Sequence, residues 1–434
     1  MLTRFVTAGS VDDGKSTLIG RLLWDTRAVF EDQVVAISAA SQRRGQAEPD
    51  LSLLTDGLMA EREQGITIDV AYRYFNTAQR KFIVADCPGH EQYTRNMVTG
   101  ASNADVAVLL VDARKGLLPQ THRHAAVCGW LGLKRIVLAV NKIDLVDWSQ
   151  ARFEEISREF SAWCEPLGLP EVIAVPVSAL TGDGVVFRGD QMAWYQGPTL
   201  LEVLERPLAD ERNGVIDSGA AALPLRFPVQ WVIRGAPEFD PDFRGFAGRI
   251  EAGTVHVGDE VLVQREQTLQ RARVAQICLG DQRLMVAQAG RSVTLRLDRE
   301  VDVSRGDWLV SASTHQQPAL VEDLVAQICW FSDQALRSGD RFLFKMGTRS
   351  VRAEVSAIEA LIDVESLKPQ PVADELGSVQ GSVQANDLAK VRFALHEPLP
   401  VDRVGAHERL GVGSRFLLID EVTDITVGAG VLRQ

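Results

Sequence analysis

The sequence predicts an α/β domain with a mostly parallel, doubly wound sheet, followed by two antiparallel β-barrels. Up to about residue 206, short apolar runs alternate with segments of helical length, and strands that alternate with helices are joined by crossover connections. Beyond that point, many short alternating runs occur between frequent Gly-Asp turn signals, which is typical of antiparallel barrels. A length of 434 residues is compatible with about three domains.

The first domain is assigned to residues 1–208. Its candidate strands are nearly continuous in apolar residues, as expected for strands that helices cover on both faces. These strands are Phe5–Ala8, Thr67–Phe75, Lys81–Asp86, Val106–Val111, Arg135–Asn141 and Val172–Val177. The clearest predicted helices are Lys15–Thr26, Gln120–Leu131 and Ser149–Glu165.

The second half of the chain is assigned to the two barrels, over residues 222–314 and 319–434. The polar stretch Ala209–Ala221 is the predicted linker to the first domain. A second boundary is expected at Thr314–Pro318, where the strand pattern breaks. Predicted strands in this half lie within Val255–Val263, Arg291–Leu297 and Val391–Leu395.

Composition and charge exclude several classes of protein. The formal net charge is −12, and both sides of residue 220 are acidic, which disfavours nonspecific binding to nucleic acid. Apolar runs such as Val106–Val111 are far shorter than the roughly 20 residues needed to span a bilayer. No secretory signal is visible, and the five cysteines lack metal-type or redox-type spacing: Cys87, Cys128, Cys164, Cys278 and Cys329. We expect a cytoplasmic protein with reduced cysteines and no partner of nucleic acid or membrane.

A phosphate-binding loop is predicted at Gly9–Ser16, which matches GxxxxGK[ST] between a strand and a helix. The glycines allow backbone N–H groups to surround phosphates, and the helix N-terminus adds partial positive charge. We expect Lys15 between the β- and γ-phosphates and the Ser16 hydroxyl on Mg²⁺. The candidate binding residues are Gly9, Ser10, Val11, Asp12, Asp13, Gly14, Lys15, Ser16 and Thr17.

A second candidate segment, Asp86–His90, directly follows a predicted strand. In phosphate-loop enzymes an Asp at this position holds Mg²⁺, commonly through water, and the Gly N–H contacts the γ-phosphate. The alternative is an ordinary turn containing Asp, Pro and Gly at the end of a strand. The candidate residues are Asp86, Cys87, Pro88, Gly89 and His90.

Two further segments indicate that the base of the bound nucleotide is guanine. In Asn141–Asp144, the Asp144 carboxylate can accept hydrogen bonds from the guanine ring N–H and exocyclic amine, which adenine lacks there. Asn141 would connect loops, and the Lys142 stem would cover the base. Ser178–Leu180 would present a backbone N–H to the guanine oxygen. The candidates are Asn141, Lys142, Ile143, Asp144, Ser178, Ala179 and Leu180.

These motifs, in this order, resemble the GTPase superfamily, and Glu63–Ile68 is similar to the first switch of translation-factor GTPases. The resemblance implies that Thr67 contacts Mg²⁺ and the γ-phosphate only in the GTP state. It also implies that His90, gated by Val11, aligns the attacking water, so Lys15, Thr67 and His90 are the candidate catalytic residues. Otherwise Thr67 is an ordinary strand residue and His90 a helix-start residue. Because no arginine finger is identifiable, a partner is expected to accelerate hydrolysis.

The architecture resembles elongation factor Tu, but Asp13 and Ser16 stand where that protein has His and Thr. Four runs instead resemble the family of large, GTPase subunits of bacterial sulfate adenylyltransferases: Gly9–Leu23, Leu54–Leu58, Glu61–Tyr74 and His90–Met97. The resemblance implies a heterodimer in sulfate assimilation. A small subunit would convert ATP and sulfate to adenosine 5′-phosphosulfate and pyrophosphate, and the large subunit would hydrolyse GTP to drive that reaction.

Several features refine this expectation. The chain contains neither an SGGxDS-type loop nor an HxGH motif, so adenylyl transfer is expected on the partner. It contains no second GxxxxGK[ST], so adenylylsulfate kinase activity is not expected, and the segment before the first strand is short for the family. The alternatives are a translation-type GTPase that delivers an RNA and a GTP-binding scaffold without turnover.

Overall fold

The structure is a computed structural model that describes residues 2–29, 31–43, 49–54, 70–89, 94–102, 104–165, 171–208, 223–236, 240–265, 268–312, 317–371, 381–402 and 412–432. It divides into two compact units. One comprises Met1–Arg206 and Asp363–Lys368, and the other comprises Pro207–Ile362 and Pro369–Gln434. The predicted linker Ala209–Ala221 and most of the predicted boundary at Thr314–Pro318 lie outside the described residues.

The first unit contains a six-stranded sheet in the order β2-β3-β1-β4-β5-β6. Its strands are β1 (Leu2–Gly9), β2 (Ala71–Asn76), β3 (Lys81–Asp86), β4 (Val106–Asp112), β5 (Arg135–Asn141) and β6 (Glu171–Pro176). All neighbouring pairs are parallel except β2 with β3. The mostly parallel sheet predicted from the sequence is therefore confirmed.

Helices lie between these strands and after the last of them. They are α1 (Lys15–Asp25), α2 (Glu31–Arg43), α3 (Thr94–Ser102), α4 (Pro119–Trp130), α5 (Gln150–Cys164) and α6 (Leu200–Glu205). Local sequence explains two of the helix starts. The Ser149 side chain accepts a hydrogen bond from the Arg152 N–H at the start of α5, and Thr199 and Glu202 form a capping box at the start of α6.

The central strands β4 and β5 form the buried centre of this unit. Every residue of β4 and β5 is buried, including the polar ends Asp112 and Asn141. Three rings on β1, β2 and β3 pack against one another, with the centroids of Phe75 and Phe82 4.7 Å apart and Phe5 edge-on to both. Polar side chains at the ends of otherwise apolar strands are therefore held in fixed positions.

The first barrel of the second unit is closed by six strands in the order β10-β15-β7-β8-β14-β11, with β10 paired to β11. Its strands are β7 (Arg226–Ala236), β8 (Asp240–Arg249), β9 (Thr254–His256), β10 (Glu260–Arg265), β11 (Thr268–Leu279), β12 (Gln282–Leu284), β13 (Val286–Gln288), β14 (Ser292–Leu297) and β15 (Trp308–Ser311). The two short strands predicted within Val255–Val263 are confirmed as β9 and β10.

The second barrel is closed in the order β17-β21-β22-β16-β20-β18, with β17 paired to β18. Its strands are β16 (Ala319–Trp330), β17 (Arg341–Met346), β18 (Arg349–Ile362), β19 (Pro369–Gln370), β20 (Leu388–Val401), β21 (Arg415–Ile419) and β22 (Thr426–Val431). Phe344 and Phe416 stack in its core with centroids 4.0 Å apart. Within the described ranges, no helix is long and apolar enough to cross a bilayer.

Candidate nucleotide-binding site

Four of the predicted motif segments lie at one edge of the sheet of the first unit. They follow the carboxyl ends of β1, β3, β5 and β6, which run parallel in the same sheet. In open α/β sheets, ligands bind outside the carboxyl ends of the strands. This edge is therefore the candidate site.

The predicted phosphate loop runs from the end of β1 into the start of α1. Gly14 is the residue before the helix and has a φ of 91°, and Asp12 has a φ of 66°. A Cβ at Gly14 would lie 2.5 Å from the Asn141 Nδ2 atom, so this position requires glycine. The Ser10 N–H donates to the Asp13 carboxylate over 2.6 Å, which holds the loop in a tight turn. Half-buried Ser16 and Thr17 continue the loop into α1.

Lys15 is buried beneath this loop. Its ammonium donates to the Gly9 carbonyl over 3.0 Å and to the Ser10 carbonyl over 2.8 Å. Burial lowers the pKa of Lys15, whereas the nearby carboxylates of Asp13 and Asp86 act in the opposite direction. Burial also raises the pKa of Asp13. A buried ammonium that donates to two backbone carbonyls at the mouth of this loop is suited to bind an added anion.

Asp86 and Gly89 lie beside Lys15. The buried Asp86 carboxylate accepts a hydrogen bond of 3.4 Å from the Thr7 hydroxyl on the neighbouring strand. A Cβ at Gly89 would lie 2.3 Å from Lys15 Nζ and 2.9 Å from the Gly9 carbonyl oxygen. Only glycine allows the backbone to come this close to the phosphate loop. Cys87 and Pro88, between them, are buried.

Asn141 joins the phosphate loop to the loop after β6. Its Nδ2 donates to the Asp13 carbonyl over 2.7 Å, and its Oδ1 accepts from the Ala179 N–H over 2.9 Å. Lys142 donates to the Asp12 carbonyl and pairs with the Asp112 carboxylate at 3.1 Å. The predicted role of Asn141 in connecting loops thus has a direct counterpart in these two hydrogen bonds.

The predicted base-contacting carboxylate, that of Asp144, has one oxygen without a partner in the described part of the chain. The Oδ1 atom of Asp144 is buried and has no hydrogen-bond partner among the described residues. Ile143 is fully buried and its N–H donates to the Val177 carbonyl over 3.3 Å, which anchors the segment that carries Asp144. A buried carboxylate oxygen without a partner is costly, so it marks a position where a ligand donor would be stabilising.

Asp112 at the end of β4 is a site residue that the sequence analysis missed. Its carboxylate is buried and accepts from Arg114 Nε over 3.0 Å and from Arg114 Nη2 over 2.6 Å. Burial alone would raise the pKa of Asp112, but the hydrogen bonds from Arg114 and Lys142 outweigh burial and hold that pKa well below its usual range. An Asp directly after the apolar run Val106–Val111 was the available signal, the same one that identified Asp86.

The structure does not describe the two predicted switch residues. Thr67 and His90 both lie outside the described residues, as does most of the segment Glu61–Tyr74. Their roles remain predictions from the sequence.

Comparison with known proteins agrees with this arrangement. Residues 2–210 match the family described as the elongation factor Tu GTP binding domain, and residues 323–433 match the GTP-eEF1A C-terminal domain-like family. A GTP-binding α/β domain followed by two closed barrels defines a GTP-binding protein of the elongation factor Tu type.

Full-length relatives specify the family. The chain is 46% identical over 436 residues to sulfate adenylyltransferase subunit 1 of Vibrio campbellii, covering 100% of this chain and 86% of that protein. It is 44% identical over 434 residues to the protein of the same name from Cellvibrio japonicus, covering 99% and 86%. The chain belongs to the sulfate adenylyltransferase subunit 1 family. The solved structure of Sup35 complexed with GMPPNP is 24% identical with a TM-score of 0.43, covering 100% of this chain and 93% of that chain.

Proposed function

We propose that this chain hydrolyses GTP and that the energy released drives adenosine 5′-phosphosulfate formation from ATP and sulfate on a separate adenylyl-transferring subunit, in sulfate assimilation. Family membership supports the link to sulfate adenylyltransferase, and the family name "subunit 1" implies a partner chain. The observation that carries the GTP assignment is the Asn141 side chain, which ties the phosphate loop to the predicted base loop.

Recognition of guanine would depend on Asp144. Its buried, unpartnered Oδ1 atom is suited to the ring N–H and exocyclic amine of guanine. Adenine offers no donor at either position and would leave the carboxylate unpaired, which sites of this kind reject strongly. The Lys142 ammonium is held by the Asp112 carboxylate and by the Asp12 carbonyl, and we propose that its stem covers the base.

The phosphates would bind between the phosphate loop and Gly89. Lys15, already buried there, would exchange its bonds to the Gly9 and Ser10 carbonyls for phosphate oxygens. Mg²⁺ fits the hard oxygen donors that the chain offers at this edge, the Ser16 hydroxyl and the Asp86 carboxylate. Charge on the β- and γ-phosphate oxygens would be neutralised by that ion.

Hydrolysis would need the two predicted switch residues. We propose that Thr67 orders the first switch in the GTP state and that His90 aligns the attacking water. Adenylyl transfer would occur on the partner, because this chain contains neither an SGGxDS-type loop nor an HxGH motif.

The test is reconstitution with the small subunit. The two chains are co-purified, and adenosine 5′-phosphosulfate is measured from ATP and sulfate with GTP, with a non-hydrolysable GTP analogue and with no guanine nucleotide. We expect product above the ATP-and-sulfate equilibrium only with GTP. Equal product under all three conditions would refute the coupling. GTP-dependent retention of RNA without any effect on adenylylsulfate formation would favour a translation-type function instead.

A further inference from the structure

Arg21 makes a forked contact with the loop after β6. On α1, its Nε donates to the Ala179 carbonyl over 3.2 Å, and its Nη2 donates to the next carbonyl, that of Leu180. The planar guanidinium presents several donors in a fixed arrangement, so one side chain can hold two consecutive peptide groups. A lysine could not reproduce this geometry with a single nitrogen.

The same loop is held from its other side. The Ala179 N–H donates to Asn141 Oδ1 over 2.9 Å, and the Ser178 N–H donates to the Asp183 carbonyl over 2.9 Å. The next two N–H groups after Leu180, those of Thr181 and Gly182, both donate to Ser178. Within the part of the chain that the structure describes, the Leu180 N–H is thus the one backbone N–H of residues 178–182 without an acceptor.

The Arg21 side chain is itself fixed. Its Nη1 lies 3.6 Å from an Asp25 carboxylate oxygen one turn along α1. Gly182, with a φ of 95°, lies beside it, where a Cβ would be in ordinary van der Waals contact with Arg21 Cδ at 3.4 Å. Because α1 starts with Lys15, one helix anchors both the phosphate loop and the loop after β6.

We propose that Arg21 is a positioning residue for guanine recognition, which holds the Ser178–Leu180 loop so that the Leu180 N–H faces the oxygen at position 6 of the base. The Ala179 N–H cannot serve this purpose without breaking its bond to Asn141. The inference depends on the proposed binding of GTP and names the backbone donor and the side chain that fixes it. Binding energy would come from a preorganised donor that needs no loop rearrangement.

The test compares GTP with 6-thio-GTP, in which sulfur, a weaker acceptor, replaces the oxygen at position 6. The ring N–H and exocyclic amine that Asp144 would bind are unchanged in this analogue. Affinities are measured by titration calorimetry with Mg²⁺ for the wild type, Arg21→Met and Arg21→Lys. Arg158→Met is the matched control, because Arg158 is an exposed arginine of α5.

We expect Arg21→Met to weaken GTP binding about tenfold, the equivalent of one hydrogen bond, and to weaken 6-thio-GTP binding clearly less. Arg21→Lys should lie between Arg21→Met and the wild type, and Arg158→Met should match the wild type. An equal loss for both nucleotides, or no loss for either, would refute the positioning role. If Arg21→Met does not fold, the same comparison is made with Arg21→Lys. Failure of the wild type to bind GTP would overturn the proposed function instead.

Discussion

Replacement of Asp144 by asparagine tests the base assignment most directly. The amide keeps the size of the side chain but replaces one acceptor oxygen with a donor NH₂ group that opposes the guanine donors. One hydrogen bond to a charged acceptor would be lost, worth about 1.5–3 kcal/mol, and the bond to the remaining amide oxygen would lose its charge assistance, worth about 1 kcal/mol more. The total of about 2.5–4 kcal/mol corresponds to GTP binding weakened roughly 10² to 10³ fold. Water cannot readily compensate, because the Asp144 Oδ1 atom is buried.

The same change should improve binding of xanthosine triphosphate. Xanthine carries a carbonyl where guanine has the exocyclic amine, so the new amide donor of Asp144→Asn gains an acceptor. We would measure the affinities of both nucleotides by competition against a fluorescent guanine nucleotide analogue for the wild type and by direct calorimetry for the variant. We expect the order of preference for the two nucleotides to reverse.

Asp147→Asn is the matched control for this experiment. Asp147 lies three residues further along, is exposed, and has a φ of 53°, a conformation that asparagine tolerates well. It should leave GTP affinity unchanged. If folded Asp144→Asn binds GTP as tightly as Asp147→Asn does, Asp144 does not read the base and the reasoning is wrong.

Three further substitutions test the rest of the site. His90→Ala should preserve GTP affinity and lower GTP turnover in the presence of the partner; unchanged turnover would remove His90 from catalysis. Gly89→Ala should lower both GTP affinity and turnover, because its Cβ would lie 2.3 Å from Lys15 Nζ, and calorimetry showing wild-type affinity would contradict this. Hydrogen bonds hold the folded-state pKa of Asp112 below its ordinary value of 3.8, so its stabilising contribution is complete above that pH and is lost as pH falls further. Urea unfolding should therefore show Asp112→Asn less stable than the wild type at neutral pH, with the difference shrinking below about pH 4; a difference independent of pH would refute the ion-pair explanation.

Strongly patterned segments of the sheet were predictable from the sequence. β3 and β5 have the predicted bounds, because each is an apolar run with a basic residue at its start and a polar residue at its end. The helix after the phosphate loop ends one residue earlier than predicted, at Asp25. Helices α2, α3 and α6 were not among the clearest predicted helices. α3 has nine residues and contains Thr, Asn, Gly and Ser, which are weak helix formers, so packing rather than local preference determines it.

The site residues likewise divide into those that a local motif identifies and those that only the fold brings together. Motifs such as Gly9–Ser16 are local in sequence, so their chemistry is visible before the fold is known. Arg21 and Ala179 are 158 positions apart in the chain, and no local pattern indicates that a side chain of α1 holds a loop after β6. Asp112 could have been found from its strand-end position, but its pairing with Lys142 depends on two neighbouring strands ending in register.

The hydrogen bonds of Asn141 and Lys142 make base recognition and phosphate binding interdependent. Adjacent residues hold the carbonyls of Asp13 and Asp12, so the segment that reads the base also fixes the shape of the phosphate loop. Residues that share one hydrogen-bond network do not contribute additively to binding. Loss of the Asn141 amide would release Ala179 as well as Asp13, and would therefore weaken contacts at both ends of the nucleotide. A guanine that is correctly bound would in turn keep the phosphate loop in the conformation that Lys15 needs, which gives a physical reason for base identity to affect cleavage of the terminal phosphate.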